Sequence, residues 1–327
     1  MAQPAKRLSQ FWHPIARVED VTEQPQQFVL LDEKLVAFRT DAGISVFKDL
    51  CIHRGTALSL GLVKNGCIVC RYHGWEFDST GACVKIPAQP GKPIPAAARA
   101  ISYHVAERYG LVWVALEDPI QEIPHVPENL DQDATFTTEV FSVLEWNTSA
   151  GRSTENSMDV SHFPFVHPEL LGDPDAPEQD PYDLHAEDWG QWFRVPNQFW
   201  RSVDGTQNSR ITYVYTHVYP FTMHLYVTVD GDTSGNVMSV MVIASPTEAK
   251  KTKVFRIAFR NYVETNANFV SDYLFILEQD RVVVESIRPE EIPASLKQEL
   301  HIKVPDLSSI AFRRWLEDVD MQGLAEV

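Results

Sequence analysis

Cysteine is scarce: the chain has four in 327 residues. So few cannot staple a disulfide scaffold, and in a reducing compartment they read as thiols or metal ligands. Long apolar runs are missing as well. The longest, Leu111 to Leu116, falls far short of the ~20 residues a membrane helix needs. Residues 1–20 are polar and lack the apolar core of a signal peptide, so the expected compartment is the cytoplasm, with no membrane partner. Basic side chains are outnumbered, 28 against 45 acidic ones, for a net charge of −17. A nucleic-acid binder would show a basic face instead. No G-x-G-x-x-G turn marks a dinucleotide site, and no internal repeat or low-complexity tract interrupts the chain. What remains, 44% hydrophobic and 22% charged, is ordinary for a soluble globular protein. At roughly 150 residues per domain, the length suits two of them.

The first third reads as short strands with frequent turns. Phe28 to Arg39 holds two apolar stretches separated by Asp32-Glu33-Lys34, a predicted hairpin. Leu111 to Leu116 is a predicted buried strand, and the four prolines between Pro87 and Pro95 force a loop. Prolines and acids dominate from Asp118 to Asp133. The domain boundary is placed there, giving expected domains 1–125 and 126–327.

Beyond it, Thr137 to Trp146 is strand-like. Leu225, Val227 and Val229 alternate with His224, Tyr226 and Thr228, and Val237 to Ala244 is the predicted hairpin partner. Phe255, Ile257 and Phe259 alternate with Arg256, Ala258 and Arg260. Asn268 to Arg288 then switches period: Val270, Tyr273, Leu277, Val284 and Ile287 fall on one side of a 3.6-residue helix. The expected fold class is α+β: an all-β N-terminal domain, then an antiparallel sheet gripping a long helix.

Two cysteines and two histidines form the strongest pattern. Cys51-Ile-His53-Arg54-Gly55 and Cys70-Arg-Tyr-His73-Gly74-Trp75 each set a thiolate and an imidazole close together, followed by glycine. Such a set suits a tetrahedral zinc, or a [2Fe–2S] cluster with Cys₂ on one iron and His₂ on the other. Zinc sites usually pair like with like, and the mixed pairing here suits the cluster. Cys67 and Cys83 read as ordinary thiols.

A second constellation lies in Asp159-Val-Ser-His162-Phe-Pro-Phe-Val-His167. If the segment is helical to His162, Asp159 shares its face and holds the imidazole's second nitrogen. Pro164 should distort the turn and let His167 swing toward the same point. The alternative is a local Asp159–His162 pair with His167 in a loop. Asp280 sits inside the apolar stripe of the late helix, where a carboxylate must be paired, with Arg281 or a strand arginine, or metal-bound. Glu278 and Glu285 point off the stripe and read as solvated. Two His and one Asp make the facial triad of non-haem iron(II) oxygenases.

A cysteine–histidine fingerprint, then D-x₂-H-x₄-H, then a late E-Q-D on a helix resembles the oxygenase component of Rieske non-haem iron oxygenases. The resemblance runs in order to Arg313-Arg314-Trp315. It is similar to the members without a small subunit: vanillate-, toluenesulfonate- and phthalate-type enzymes and, around Asp159 to His167, the saxitoxin-pathway hydroxylases. The resemblance implies that Cys51 and Cys70 hold one cluster iron and His53 and His73 the other. It implies that His162, His167 and Asp280 hold a mononuclear Fe(II). It further implies a homotrimer in which Asp159 bridges His73 of one subunit to His162 of its neighbour for electron transfer. A separate reductase or ferredoxin would supply the electrons, since Cys67 and Cys83 are too few for a second cluster of the Cys₄ type. Arg54 and Arg71 are candidates for a local docking patch for that donor. Phe165, Phe199 and Tyr273 are candidate substrate-pocket residues by proximity to the ligands.

The implied activity is monooxygenation with O₂: hydroxylation, or the hydroxylation that leads to demethylation, of a small organic substrate. The rival within the class is cis-dihydroxylation of an aromatic ring. From other classes come a Rieske electron carrier joined to a binding domain and a zinc-stabilised interaction module. Substrate, regiochemistry and donor identity are not written in the sequence.

Overall fold

Two residues in the left-handed region, Leu31 (φ 52°) and Asp32 (φ 63°), close the first hairpin. The strands Gln26–Leu30 and Glu33–Thr40 pair with Leu30 opposite Glu33, leaving a two-residue loop whose positive φ values match the strand twist. Glu33 and Lys34, expected in the turn, are already strand. The computed structural model describes residues 6–168, 170–201, 208–262, 269–293 and 295–320. The chain divides into two units. One comprises residues 9–123; the other runs from residue 124 and includes the strand Lys6–Arg7, which pairs parallel to Val319–Asp320.

The first unit is built from small antiparallel sheets. Leu111–Ala115 is buried at every position between His104–Arg108 and His13–Arg17, as its unbroken apolar run predicts. The strands Leu62–Lys64, Cys67–Val69, Glu76–Phe77 and Cys83–Lys85 form a separate sheet. Its core, with Val36, Phe38, Phe47, Leu58, Ile68 and Phe77, closes over Cys51 and Cys70.

The second unit is a seven-stranded antiparallel sheet. Its spatial order is Thr137–Trp146, Lys251–Arg260, Met238–Glu248, Thr222–Val229, Asn208–Val218, Gly190–Arg201 and Leu184–Glu187. Helices α1 (Ala150–Met158), α2 (Phe163–Val166), α3 (Phe269–Val284) and α4 (Leu307–Leu316) belong to the same unit. Along Lys251–Arg260 the expected alternation is present, but both sets are buried apart from Arg260, because this is an interior strand. On α3, Leu277, Asp280 and Val284 are buried and Tyr273 is half-buried, the predicted stripe. Asn268 and the Val270 side chain lie outside the described residues.

Ion pairs tie α1 to α4. The buried Arg313 donates from Nε and Nη2 to Glu155 at 2.6 and 2.7 Å and from Nη2 to Glu299 at 2.6 Å. Arg152, also buried, joins Glu299 and the Pro289 carbonyl. Among the described residues no helix is long and apolar enough to cross a membrane.

Candidate metal centres

Two loops of the first unit share one backbone design. The Gly55 amide donates to the Cys51 carbonyl at 2.8 Å, and the Gly74 amide to the Cys70 carbonyl at 2.9 Å. The Cys51 amide donates to Thr56 and the Cys70 amide to Trp75. Both glycines hold positive φ, 74° and 66°, a conformation that a side chain would strain. These turns bury Cys51 and Cys70 within hydrogen-bonding reach of each other. They also bring the His53 and His73 rings to 4.6 Å, with Trp75 stacked on His53 at 4.5 Å.

The four side chains fit a cluster on their own chemistry. Burial pushes the Cys51 thiol up to about 11, so paired thiolates here need a bound cation to exist at neutral pH. Nδ1 of His53 is buried without a partner among the described residues. His73 is exposed, as are Arg54 and Arg71 beside the two histidines. Cys67 is half-buried and Cys83 buried, each a free thiol.

In the second unit, Nε2 of His162 and Nε2 of His167 lie 3.2 and 3.1 Å from the same atom, Oδ1 of Asp280. One ligand atom from each of the three residues falls within 4.8 Å of the others. Each Nδ1 faces an acceptor: Asp159 Oδ2 is 3.1 Å from His162, and Gln279 Oε1 is 2.9 Å from His167. Both Nδ1 atoms must then carry the proton, which leaves two bare Nε2 lone pairs aimed at an anionic oxygen. A cation must stand between them, either a proton shared with the carboxylate or, once that proton is displaced, a divalent metal, and the donor set of two imidazoles and one carboxylate fits such a metal with open positions. The charges agree. Burial opposes ionisation of Asp280, but the two histidines hold its carboxyl well below the usual range. Burial pulls His162 down, yet Asp159 and Asp280 lift it to about 9.

The Asp159–His162 contact forms through a turn, where the spacing suggests a helix. The chain is not helical to His162: α1 ends at Met158, and Asp159 is extended. Its carboxylate accepts the Ser161 amide at 2.7 Å, turning the chain so that His162 comes back onto Oδ2. Pro164 distorts nothing, because it stands in the first turn of α2, where no amide is required. Arg281 does not pair with Asp280; it bridges Glu278 and Glu285. Glu285, expected in solvent, is half-buried and accepts the Asn147 amide at 2.8 Å.

Of the pocket candidates, Tyr273 lies half-buried on α3 two turns before Asp280, with its ring 5.2 Å from Phe141. Phe165 does not join it, being 66% exposed. Phe199 does not either; it pairs with Arg210, whose guanidinium lies over its ring, on the parity opposite to Tyr213. The aromatic beside the ligands is Phe163, edge-on to His162 at 4.8 Å and to Tyr213 at 5.9 Å. Its only signal in the sequence was adjacency to His162. Gln279 was visible in the E-Q-D string, but nothing in the spacing said that its amide oxygen would meet His167.

Residues 11–103 match the family model for the Rieske [2Fe-2S] domain, and residues 146–320 that for the vanillate O-demethylase oxygenase C-terminal domain. The chain is 31% identical to methylxanthine N1-demethylase NdmA of Pseudomonas putida, over 95% of this chain and 89% of the relative. It is 29% identical to methylxanthine N3-demethylase NdmB of the same organism, over 97% and 91%. A solved structure of a QL mutant of Pseudomonas putida CBB5 NdmA with caffeine superposes with a TM-score of 0.83 at 30% identity, covering 95% of this chain and 90% of that one.

Proposed function

The chain belongs to the Rieske non-haem iron oxygenases, and from that premise we propose that it is an oxidative demethylase of a small N- or O-methylated compound. Cys51, Cys70, His53 and His73 are the residues for the cluster; His162, His167 and Asp280 are those for the mononuclear iron. When bound, the two groups supply one-electron delivery and O₂ activation. The balance is one methyl C–H, O₂, two electrons and two protons in. The demethylated substrate, formaldehyde and water come out.

The chain's own side chains do the rest. Asp159 and Gln279 keep the protons of His162 and His167 on Nδ1, so that both Nε2 lone pairs stay available. Phe163, Tyr213 and Tyr273 exclude water from the space beside them. Asp159 is 34% exposed, which leaves it able to accept a further hydrogen bond, from His73 of the partner subunit in a homotrimer. The electrons come from a separate reductase or ferredoxin, with Arg54 and Arg71 beside the exposed cluster edge as its docking charges. We place the protein in the cytoplasm, with residues 1–125 carrying the cluster and 126–327 the chemistry.

The observation that carries the reading is the meeting of two Nε2 atoms on one oxygen of Asp280, with both Nδ1 atoms already tied to acceptors. The test is iron per chain together with product isotope content. Three irons, formaldehyde release and one ¹⁸O atom per turnover are expected. Two irons would indicate an electron carrier instead, and two labelled atoms in a ring diol would indicate a dihydroxylase.

A further inference from the structure

We propose that Arg256, with Ser142 opposite it, forms the polar end of the substrate pocket and binds an anionic oxygen, a carboxylate, on the substrate. This deepens the demethylase reading and rests on it, because it concerns the same pocket.

The face on which Arg256 lies follows from register. In an antiparallel sheet, directly opposed residues share a face. Arg256 is opposite Val242, Val242 opposite Met223, and Met223 opposite His217. Along that last strand, Tyr213, Tyr215 and His217 alternate onto the same face, and Tyr213 packs against Phe163 beside His162. Arg256 therefore projects from the side of the sheet that carries the metal ligands. Asp280 on α3 lies near enough for its charge to act on it.

Among the described residues no carboxylate forms an ion pair with Arg256. Three arginines are buried among the described residues: Arg152, Arg256 and Arg313. Arg152 and Arg313 are each matched by Glu155 and Glu299. Arg256 is 2% exposed, and no described residue gives it a hydrogen bond or ion pair; its Nη1 is closed off without a partner. Among the described residues the Trp146 ring, 5.4 Å from Cζ, is its one cation–π neighbour. A cation–π contact recovers only part of what burying an ion costs. Asp280 acts on it only from beyond ion-pair distance, and its Oδ1 is already shared by His162 and His167. Burial lowers the guanidinium to about 10, so it stays charged at neutral pH.

Ser142 is the second half of the subsite. It stands directly opposite Arg256 on the neighbouring strand, is buried, and its Oγ also has no partner among the described residues. A guanidinium fork and a hydroxyl together offer three donors on one face of the sheet, which is the chemistry that holds a carboxylate. The geometry thus orients a substrate acid-end toward the sheet and its methyl group toward the ligands.

The test compares acid and amide. Holoenzyme is titrated anaerobically by calorimetry with benzoate and benzamide, then with their 4-methoxy derivatives and a two-ring acid–amide pair. At least tenfold tighter binding of the acids is expected. Arg256→Gln should abolish that preference with iron content and cluster absorption unchanged, Arg256→Lys should retain part of it, and Ser142→Ala should reduce it severalfold. Equal affinity for acid and amide, a preference that survives Arg256→Gln or Ser142→Ala together with Arg256→Lys, or no binding of any acid at millimolar concentration overturns the proposal. O₂ uptake separates the two readings. An acid-selective protein that consumes no O₂ when reduced would sink the demethylase and leave Arg256 standing; uptake driven by neutral methylated compounds alone would do the reverse.

Discussion

Gln279 Oε1 lies 2.9 Å from His167 Nδ1, one residue before Asp280 on α3. The helix thus delivers a ligand and the orienting group of another ligand side by side. Gln279→Ala should leave the cluster absorption intact and weaken mononuclear iron binding by roughly 10–100-fold. Competition with a chelator, followed by iron analysis, measures it; unchanged retention would mean that the amide does not orient His167.

Asp280 and Asp159 should part company under substitution. Asp280→Ala removes the oxygen on which both Nε2 atoms converge, so it should lose the mononuclear iron and keep the red-brown colour. Asp159→Asn should keep most of the iron and still lose nearly all turnover. Full turnover in that variant would remove Asp159 from electron transfer.

Cys51→Ser should bleach the visible cluster spectrum. A hydroxyl has neither the thiolate's charge nor its softness for iron. The backbone bonds that hold Cys51 run to Gly55 and Thr56 of its own loop, so the mononuclear iron of the second unit should remain. Absorption and metal content, read together, separate the two centres.

Glu155→Ala should be among the most destabilising substitutions away from the metals. It strips Arg313, 1% exposed, of a bidentate partner. Breaking one side of a buried pair costs about 3–5 kcal/mol, which for a unit of this size lowers Tm by roughly 10 °C. Glu155→Gln, which keeps one acceptor oxygen toward the arginines, should lose less. Thermal unfolding with metal content held constant is the measurement.

Acid should unfold this protein in a window set by two buried neutral histidines. Burial lowers His217 to about 4, although its bond to the Pro220 carbonyl opposes the shift, and burial lowers His224 to about 3. Below about pH 6.5 the unfolded chain takes up protons that these sites refuse, so stability falls as pH drops from 6.5 toward 4. His217 alone contributes roughly 3 kcal/mol over that interval. His217→Gln should flatten the dependence, as read from urea midpoints at pH 7 and pH 5; an unchanged slope would show that His217 is not the sensor.

Some of this was legible residue by residue. The mixed Cys–His loops specify a cluster because ligand type and the following glycine are local properties. Asp280 announced itself because a carboxylate inside an apolar helical stripe needs a partner. Asp159 meets the neighbour that its spacing predicts, but through a turn: a carboxylate three residues before a histidine can reach it along a helix or through a side-chain-capped turn, and the spacing is the same in both. Phe165 and Phe163 flank the same proline, and only the direction in which α2 leaves that turn sends one into solvent and the other onto His162.

The sequence by itself determined the ligand types, the order of the two units and the alternation that makes the sheet, since each depends on covalent spacing and on the period of apolar side chains. The tertiary structure alone decided that Asp280 would share one oxygen between two histidines more than a hundred residues earlier, and that Arg256 would be buried without a carboxylate while Arg152 and Arg313 each acquired two. Those outcomes turn on which strand faces which helix and on what stands opposite in the register. They are properties of packing in three dimensions, and no window of the chain contains them.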